Sequence, residues 1–304
     1  MRSIVLYIKE YFSAIDKRVL ALVTCLAAIL IYLNFHFGLD GAIRKNGFPI
    51  KLIAWWGVFA FALAIPYLIY HWLQKRDYTF NGSFLLLLFI APGIFALKLS
   101  IDLPFHFSDD PGWNNYWEHI VCWPSLVIIT GGILYFVWIF LDKKQQPFYG
   151  TRTKGMNWRP YLLMLLIMLP LVAAASTQPD FLAVYPKIQS IEGMYSGQGI
   201  TWWHKLLFEI SYGSDFITIE LFFRGFLVLA FVKWAGKDAI LPMACFYCTI
   251  HFGKPLGECI SSYFGGMILG IIVYNTRSIF GGLIVHLGIA WMMEIGGYIG
   301  NGFK

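Results

Sequence analysis

Charged residues are scarce in this chain of 304 residues, where Asp, Glu, Lys and Arg together make up 13%. A soluble globular protein carries about 25% charged residues. Apolar residues account for 58% of the chain, and the mean hydropathy is +0.64. This composition excludes an ordinary soluble domain and predicts an integral membrane protein. The formal net charge of +6 comes from Lys and Arg at the ends of apolar segments, so it does not indicate nucleic-acid binding.

Cysteine is also infrequent, and the five cysteines lie in apolar or boundary segments. An odd number in such positions argues against a disulfide framework, and thiols packed as small hydrophobic groups are expected. Cys245 and Cys248 form one CxxC pair without a second pair. Core packing is therefore favoured over a metal site for these two residues.

A cleavable signal peptide is a further feature that the sequence lacks. Residues 1–18 carry four basic side chains, but the apolar run at 19–37 is too long for a signal peptide and has no clear small-residue cleavage site. We therefore expect a retained first transmembrane helix.

Long apolar segments dominate what remains, and they predict an all-α, polytopic membrane bundle of about eight or nine transmembrane helices. The third, fifth and seventh segments are short, so one of them is a candidate for a re-entrant or fully buried helix. The predicted segments are 18–37, 52–74, 83–99, 119–141, 161–177, 204–233, 239–252, 256–274 and 279–299.

The distribution of basic residues predicts the orientation. If all nine segments cross, the side that holds the N-terminus has fourteen Lys and Arg and the other side has seven. The positive-inside rule then places the N-terminus in the cytoplasm. We expect a multi-pass protein of a cell membrane, with the bacterial inner membrane as the leading candidate.

The loop at 143–160 is the best candidate for a domain boundary. Residues 1–160 form N-terminal transmembrane helices without a recognised signature, whereas 161–304 contain nearly all the polar groups inside apolar segments. Function is therefore expected within residues 204–299.

An acid and a base interrupt the apolar run ITIELFFRGFLVLAF, at Glu220 and Arg224. Ionisable groups inside a membrane are costly, so they normally face a partner or a cavity. At i and i+4 the two side chains share one helix face and can pair. The pair is either a structural ion pair or a device by which Arg224 holds a reactive carboxylate.

Two histidines add to this acid: His251 at the end of a short apolar helix and His286 in the middle of the last one. A carboxylate beside a neutral imidazole can take a proton from water, and a second imidazole can donate to a developing oxyanion. Glu220, His251 and His286 are also the His₂Glu ligand set of a catalytic zinc site. Both interpretations remain open from the residues alone.

Small residues recur every fourth position at Ser262, Gly266 and Gly270, which predicts close helix packing. Glu294 lies two turns beyond His286, either in the same cavity or at the membrane interface. Glu209 and Asp215 precede Glu220 and are expected nearer the headgroups.

These segments resemble the CAAX prenyl protease and bacteriocin-processing (CPBP) family of intramembrane proteases. Glu220-Leu-Phe-Phe-Arg224-Gly225 is similar to the Glu-Glu-x-x-x-Arg motif and its usual following Gly. Tyr247-Cys-Thr-Ile-His251 is similar to the aromatic-x-x-x-His motif, and His286 to the His of the third motif. The resemblance covers about 205–299 and implies a helical membrane fold and peptidase activity. The implied catalytic residues are Glu220, Arg224, His251 and His286.

The family is described both as metal-dependent and as glutamate-dependent. The resemblance therefore implies either no cofactor or a zinc ion on Glu220, His251 and His286. Expected partners are membrane lipids and a peptide or membrane-protein substrate, with no nucleic acid.

Two departures from the family pattern leave competing hypotheses. Ile219 stands where the family has its first Glu, and Ala290 stands where it has Asn or Asp. One hypothesis is an intramembrane endopeptidase that uses a Glu/His-activated water. The alternative is a catalytically inactive scaffold that binds a membrane-protein partner. A transporter is disfavoured because the sequence shows no inverted repeat.

Overall fold

The computed structural model describes residues 2–103, 105–143, 146–153, 156–192 and 200–302. Within these ranges the regular structure is helical and contains no β-strand. The predicted all-α fold is therefore confirmed. The chain divides into two compact units. Unit 1 comprises Met1–Asp102, Phe136–Thr153 and Leu221–Ile279, and unit 2 comprises Leu103–Tyr135, Lys154–Glu220 and Phe280–Lys304.

Unit 1 begins with five helices whose ends follow local capping chemistry. The Asp16 side chain accepts a hydrogen bond from the backbone N–H of Arg18, and Asn81 accepts from those of Ser83 and Phe84. Gly38 adopts φ 64°, the left-handed conformation that ends a helix. These helices are α1 (Arg2–Ala14), α2 (Lys17–Phe37), α3 (Leu39–Arg44), α4 (Phe48–Gln74) and α5 (Gly82–Ser100).

The later part of unit 1 contains most of a π-helical segment, Glu220–Ala230, of which only Glu220 falls in unit 2. It also contains α11 (Val232–Ala235), α12 (Ile240–Thr249) and α13 (Leu256–Thr276). Every residue of α12 is buried. α12 packs against α2, α4 and α13.

Aromatic rings fill the core of unit 1. The ring centroids of Phe59 and Phe246 lie 4.8 Å apart, and those of Phe95 and Phe222 lie 4.9 Å apart. The small residues predicted on α13 face α12. A Cβ at Gly270 would come within 2.6 Å of the terminal methyl of Met243. The predicted close packing is therefore present, and it joins α13 to α12.

A buried loop closes on the π-helical segment within unit 1. The carboxylate of Asp142 accepts from the Lys233 ammonium at 2.6 Å and from the Tyr149 hydroxyl at 2.9 Å. Gly225 lies against the backbone carbonyl of Tyr149, where an added Cβ would come within 2.7 Å of the oxygen. The glycine that follows Arg224 thus allows the loop to approach the helix.

Unit 2 is built around the last helix, α14 (Phe280–Gly300). Its glycine face packs on α7 (Arg159–Ala175), because Gly281 leaves room for the ring of Tyr161 and Gly288 for the side chain of Leu165. The remaining helices are α6 (Pro111–Leu141, whose last residues belong to unit 1), α8 (Pro179–Leu182), α9 (Gln189–Glu192) and α10 (Trp202–Ile219).

In the part of the chain that the structure describes, six helices are long and apolar enough to cross a membrane: α2, α4, α5, α6, α13 and α14. Large apolar side chains such as Trp72, Ile128 and Phe140 are at least three-quarters exposed, as expected of groups that face lipid. The chain is therefore a polytopic helical membrane protein. The seventh predicted segment forms α12, whose ten residues reach about 15 Å and cannot cross a bilayer alone.

Candidate active site

The π-helical segment carries two of the predicted site residues. π-Helices are rare, and those found are frequently at functional sites. All residues from Glu220 to Ala230 are buried, and the side chains of Glu220 and Arg224 have no exposed surface. A helix that is apolar around its whole circumference is normally a buried one. An acid and a base are therefore held in a helical segment whose residues are all buried.

Glu220 meets His286 within unit 2. The Oε1 atom of Glu220 lies 2.9 Å from Nδ1 of His286, a hydrogen bond between α14 and the start of the π-helical segment. The carboxylate is fully buried, and the histidine side chain is 15% exposed. When the carboxylate accepts a hydrogen bond from the Nδ1–H group, Nε2 of the neutral imidazole is left as an acceptor. Carboxylate and imidazole thus form an oriented acid–base pair.

Two neighbours fix this pair. The ring of Phe216 packs edge-on against the His286 ring, with centroids 4.6 Å apart and planes at 79°. Gly282, one turn before His286 on α14, has no side chain, and a Cβ there would overlap Oε2 of Glu220. The sequence therefore provides a partner for one carboxylate oxygen and space for the other.

Arg224 has an aromatic partner in unit 1. Its guanidinium carbon lies 3.9 Å from the centroid of the Tyr247 ring, which belongs to α12. Tyr247 is 3% exposed. Cation–π attraction is strongest where the cation is shielded from water, so this contact stabilises a buried guanidinium.

His251 lies one turn after Tyr247 and is joined to it. Its Nδ1 is 3.0 Å from the Tyr247 carbonyl oxygen, which can only accept, so Nδ1 carries the proton. The next residue, Phe252, accepts a hydrogen bond through its carbonyl from the side-chain amide of Asn34 at 2.9 Å. The turn after α12 is thus anchored to α2.

The structure brings the predicted site residues together in two groups. Glu220 and His286 form a pair in unit 2, whereas Arg224 and His251 both contact Tyr247 in unit 1. The ion pair between Glu220 and Arg224 stays a prediction, and so does a shared site for Glu220, His251 and His286. Both replaced motif positions are buried, Ile219 at 8% and Ala290 at 4% exposed, and neither supplies a polar side chain.

A zinc site finds no support in the arrangement of the described residues. Among them, no three His, Cys, Asp or Glu side chains lie close enough together to hold a metal ion.

Unit 2 also contains a pair of carboxyl groups, those of Glu209 and Glu294, which has no counterpart in the sequence motifs. Glu294 is 2% exposed, its Oε2 accepts from the Lys187 backbone N–H at 2.8 Å, and the carboxyl group of Glu209 lies close enough to interact with it electrostatically. The only sequence signal for this pair was the occurrence of two acids in apolar segments.

Residues 202–292 match the family described as Rce1-like, type II CAAX prenyl endopeptidase Rce1-like. The match confirms the resemblance to the CPBP proteases for this part of the chain. It covers the π-helical segment, α12, α13 and the first half of α14, and so includes every predicted site residue. No curated protein and no solved structure matched the chain.

Proposed function

We propose that this protein is an intramembrane endopeptidase in which the Glu220–His286 pair activates the attacking water. The contact of 2.9 Å between Oε1 and Nδ1 carries the proposal. It fixes the tautomer of the imidazole and holds the ring, as a carboxylate does for the general-base histidine of other hydrolases. The buried π-helical segment supplies a site from which bulk water is largely excluded.

The chemistry follows from the acceptor at Nε2. A water molecule gives one proton to Nε2 as its oxygen bonds to the carbonyl carbon of the scissile peptide. Glu220 stabilises the imidazolium that forms. The tetrahedral intermediate then collapses, the C–N bond breaks, and the proton on Nε2 passes to the departing amine. The products are a carboxylic acid and an amine, and His286 returns to its starting state.

Glu220 takes the place of the acid that this chain lacks at position 219. The bond from His286 to Glu220 suits the role of general base for His286. For His251 and Arg224, the catalytic roles that the family resemblance implies remain proposals.

The family description directs the choice of substrate. We propose a peptide that ends in a CAAX-type sequence with a prenylated cysteine. The purified protein in liposomes is incubated with a farnesylated CAAX peptide and with the same peptide unfarnesylated, in water enriched in ¹⁸O. Mass spectrometry then shows whether cleavage occurs and whether one ¹⁸O enters the new carboxyl group, as hydrolysis requires.

The variants Glu220→Gln and His286→Ala test the pair directly. Each is expected to lower kcat by about a hundredfold or more, the usual contribution of a general base. The double variant is expected to lose little more than either single one, since residues that act as a unit are not additive. Glu118→Gln and His119→Ala, on α6, are the matched controls. Cleavage by Glu220→Gln at the wild-type rate would contradict the proposal.

The second candidate function is that of an inactive membrane scaffold, and the buried apolar side chains at Ile219 and Ala290 favour it. Its signature is a stoichiometric partner that co-purifies from the native membrane with wild type and with Glu220→Gln alike. Absence of ¹⁸O incorporation with every CAAX peptide, together with such a partner, would establish this function instead.

A further inference from the structure

The ring of Tyr247 contacts Arg224 and His251, the two predicted site residues that lie in unit 1. One contact is the guanidinium of Arg224, 3.9 Å from the ring centroid. The other is the ring of His251, whose centroid lies 4.7 Å away with the planes at 68°. The Tyr247 carbonyl also accepts a hydrogen bond from the Nδ1–H group of His251. Tyr247 therefore contacts the guanidinium of Arg224 and the imidazole of His251. Its carbonyl also determines which nitrogen of His251 carries the proton.

From this geometry we propose that Tyr247 is a positioning residue for Arg224 and His251. The side chain of Arg224 is long and loses much rotamer freedom when it is held in one place. A ring face at 3.9 Å, shielded from water, gives the guanidinium a fixed electrostatic partner. The ring acts through these two residues, and the proposal assigns it no contact with substrate.

Gly266 on α13 leaves room for the ring. A Cβ at this position would come within 2.8 Å of Cδ1 of Tyr247. The ring is also packed against Phe223, with centroids 5.0 Å apart. We expect a methyl group added at Gly266 to push this packed ring and to move it relative to Arg224. Gly266 therefore sets the position of the cation indirectly, through the ring.

The first test is a double-mutant cycle that needs no enzymatic activity. Unfolding by a denaturing detergent is followed for wild type, Arg224→Met, Tyr247→Leu and the double variant. A shielded cation–π contact predicts that the two substitutions are non-additive by roughly 30-fold in the unfolding equilibrium constant. Tyr263→Leu combined with Arg224→Met is the control cycle, because Tyr263 is a buried tyrosine on α13 that bonds Thr24 instead. Additive effects in the Tyr247 cycle would overturn the proposal.

The second test rests on the proposed function and uses cleavage of the farnesylated CAAX peptide. Tyr247→Leu is expected to lower kcat by about tenfold to a hundredfold at unchanged KM, since displaced catalytic groups lose rate more than binding. Tyr247→Phe keeps the ring and is expected to retain most of kcat. A kcat of Tyr247→Phe as low as that of Tyr247→Leu would show that the hydroxyl is needed, and it would overturn the proposal that the ring positions Arg224 and His251.

Two glycine variants give the sharpest comparison, because they add the same methyl group one turn apart on α13. Gly266→Ala crowds the ring of Tyr247, whereas Gly270→Ala crowds the flexible end of Met243. Only Gly266→Ala is expected to lower kcat, measured where both variants remain folded. Equal kcat values in the two would overturn the role of Gly266. If wild type cleaves no peptide, the proposed function fails while the unfolding cycle still decides whether Tyr247 holds Arg224.

Discussion

Gly282 and Glu220 share one small volume in unit 2, since Oε2 of the glutamate occupies the space that a side chain at Gly282 would fill. Gly282 lies one turn before His286 on α14. The same helix therefore offers a hydrogen-bond partner to one carboxylate oxygen and an open position to the other. This arrangement predicts that the smallest addition to α14 displaces the carboxylate.

The first prediction concerns Gly282→Ala. The new methyl group overlaps Oε2 and pushes Glu220 away from His286, so cleavage is expected to fall by about a hundredfold or more, as for loss of the base. Overpacking is also expected to lower the free energy of unfolding by about 1–3 kcal/mol. Gly288→Ala is the control, because on the same helix it crowds only the flexible side chain of Leu165. Equal loss of activity in both variants would show a general packing effect.

The second prediction concerns Asn34, whose side chain joins α2 to the turn after His251. Its amide donates to the Phe252 carbonyl, and its own carbonyl accepts from the Asp40 backbone N–H, each at 2.9 Å. Asn34→Leu removes the side-chain partner of the buried Phe252 carbonyl and of the Asp40 backbone N–H. The free energy of unfolding is expected to fall by about 1–3 kcal/mol.

Hydrogen exchange measures the local effect of Asn34→Leu. Amide exchange is expected to accelerate in residues 250–254 and to stay unchanged in unit 2. Asn46→Ala is the control, because the amide of Asn46 bonds carbonyls of its own turn, those of Ala42 and Ile43. Unchanged exchange at 250–254 would show that Asn34 does not anchor the turn.

The third prediction concerns the buried carboxylate of Asp142. Lys233→Met removes its cation and leaves the charge with the Tyr149 hydroxyl alone. Stranding a buried charge costs about 3–5 kcal/mol, and the partial exposure of Lys233 reduces this to about 2 kcal/mol. The double variant Asp142→Asn with Lys233→Met is expected to be more stable than Lys233→Met alone, because it removes the stranded charge.

Detergent-induced unfolding measures these differences, with Lys237→Met as the control. Lys237 lies four residues further along the chain and donates to the Ala14 carbonyl. A double variant less stable than Lys233→Met would show that the carboxylate itself, and not its pairing, supports the loop.

Much of the fold follows from composition and periodicity. The long helices lie within four residues of the apolar segments predicted for them, except that α6 begins at Pro111, eight residues before its predicted start. The agreement arises because nearly every residue in these segments must be apolar to face lipid or core. The ten-residue α12 was foreseen only as a short segment. Its burial on all sides comes from packing against α2, α4 and α13, which no local pattern encodes.

The site was less predictable, since its residues come from distant parts of the chain. Motif spacing selected Glu220, Arg224, His251 and His286, but it did not show that Glu220 bonds His286 through Nδ1. It assigned no role to Gly282 or to the Tyr247 ring. These roles depend on side chains brought together from different helices. The π-helical geometry also has no marker in the sequence other than the two buried charges.

The fourth prediction concerns Asp238, which lies between α11 and α12 and outside the membrane-spanning segments. Burial raises the pKa of this carboxyl group above its ordinary value of 3.8, and its ion pair with Arg76 at 3.1 Å only partly opposes the shift. The folded protein therefore binds the proton more tightly than the unfolded chain does. The contribution to stability is complete below pH 3.8 and is lost as the pH rises through the raised pKa.

Thermal unfolding across this pH range tests the sign. Asp238→Asn is expected to flatten the decline in melting temperature above pH 3.8, whereas Arg76→Gln is expected to steepen it by removing the charge that lowers the pKa. Asp16 provides the opposite case, because hydrogen bonds from Arg18 lower its pKa to about 2. Its stabilising contribution is present above pH 3.8 and is lost as the pH falls toward 2. Asp16→Asn is therefore expected to lower the melting temperature above pH 3.8 and to make little difference near pH 2. A steeper decline above pH 3.8 in Asp238→Asn would mean that the ion pair with Arg76, and not burial, governs this carboxyl group.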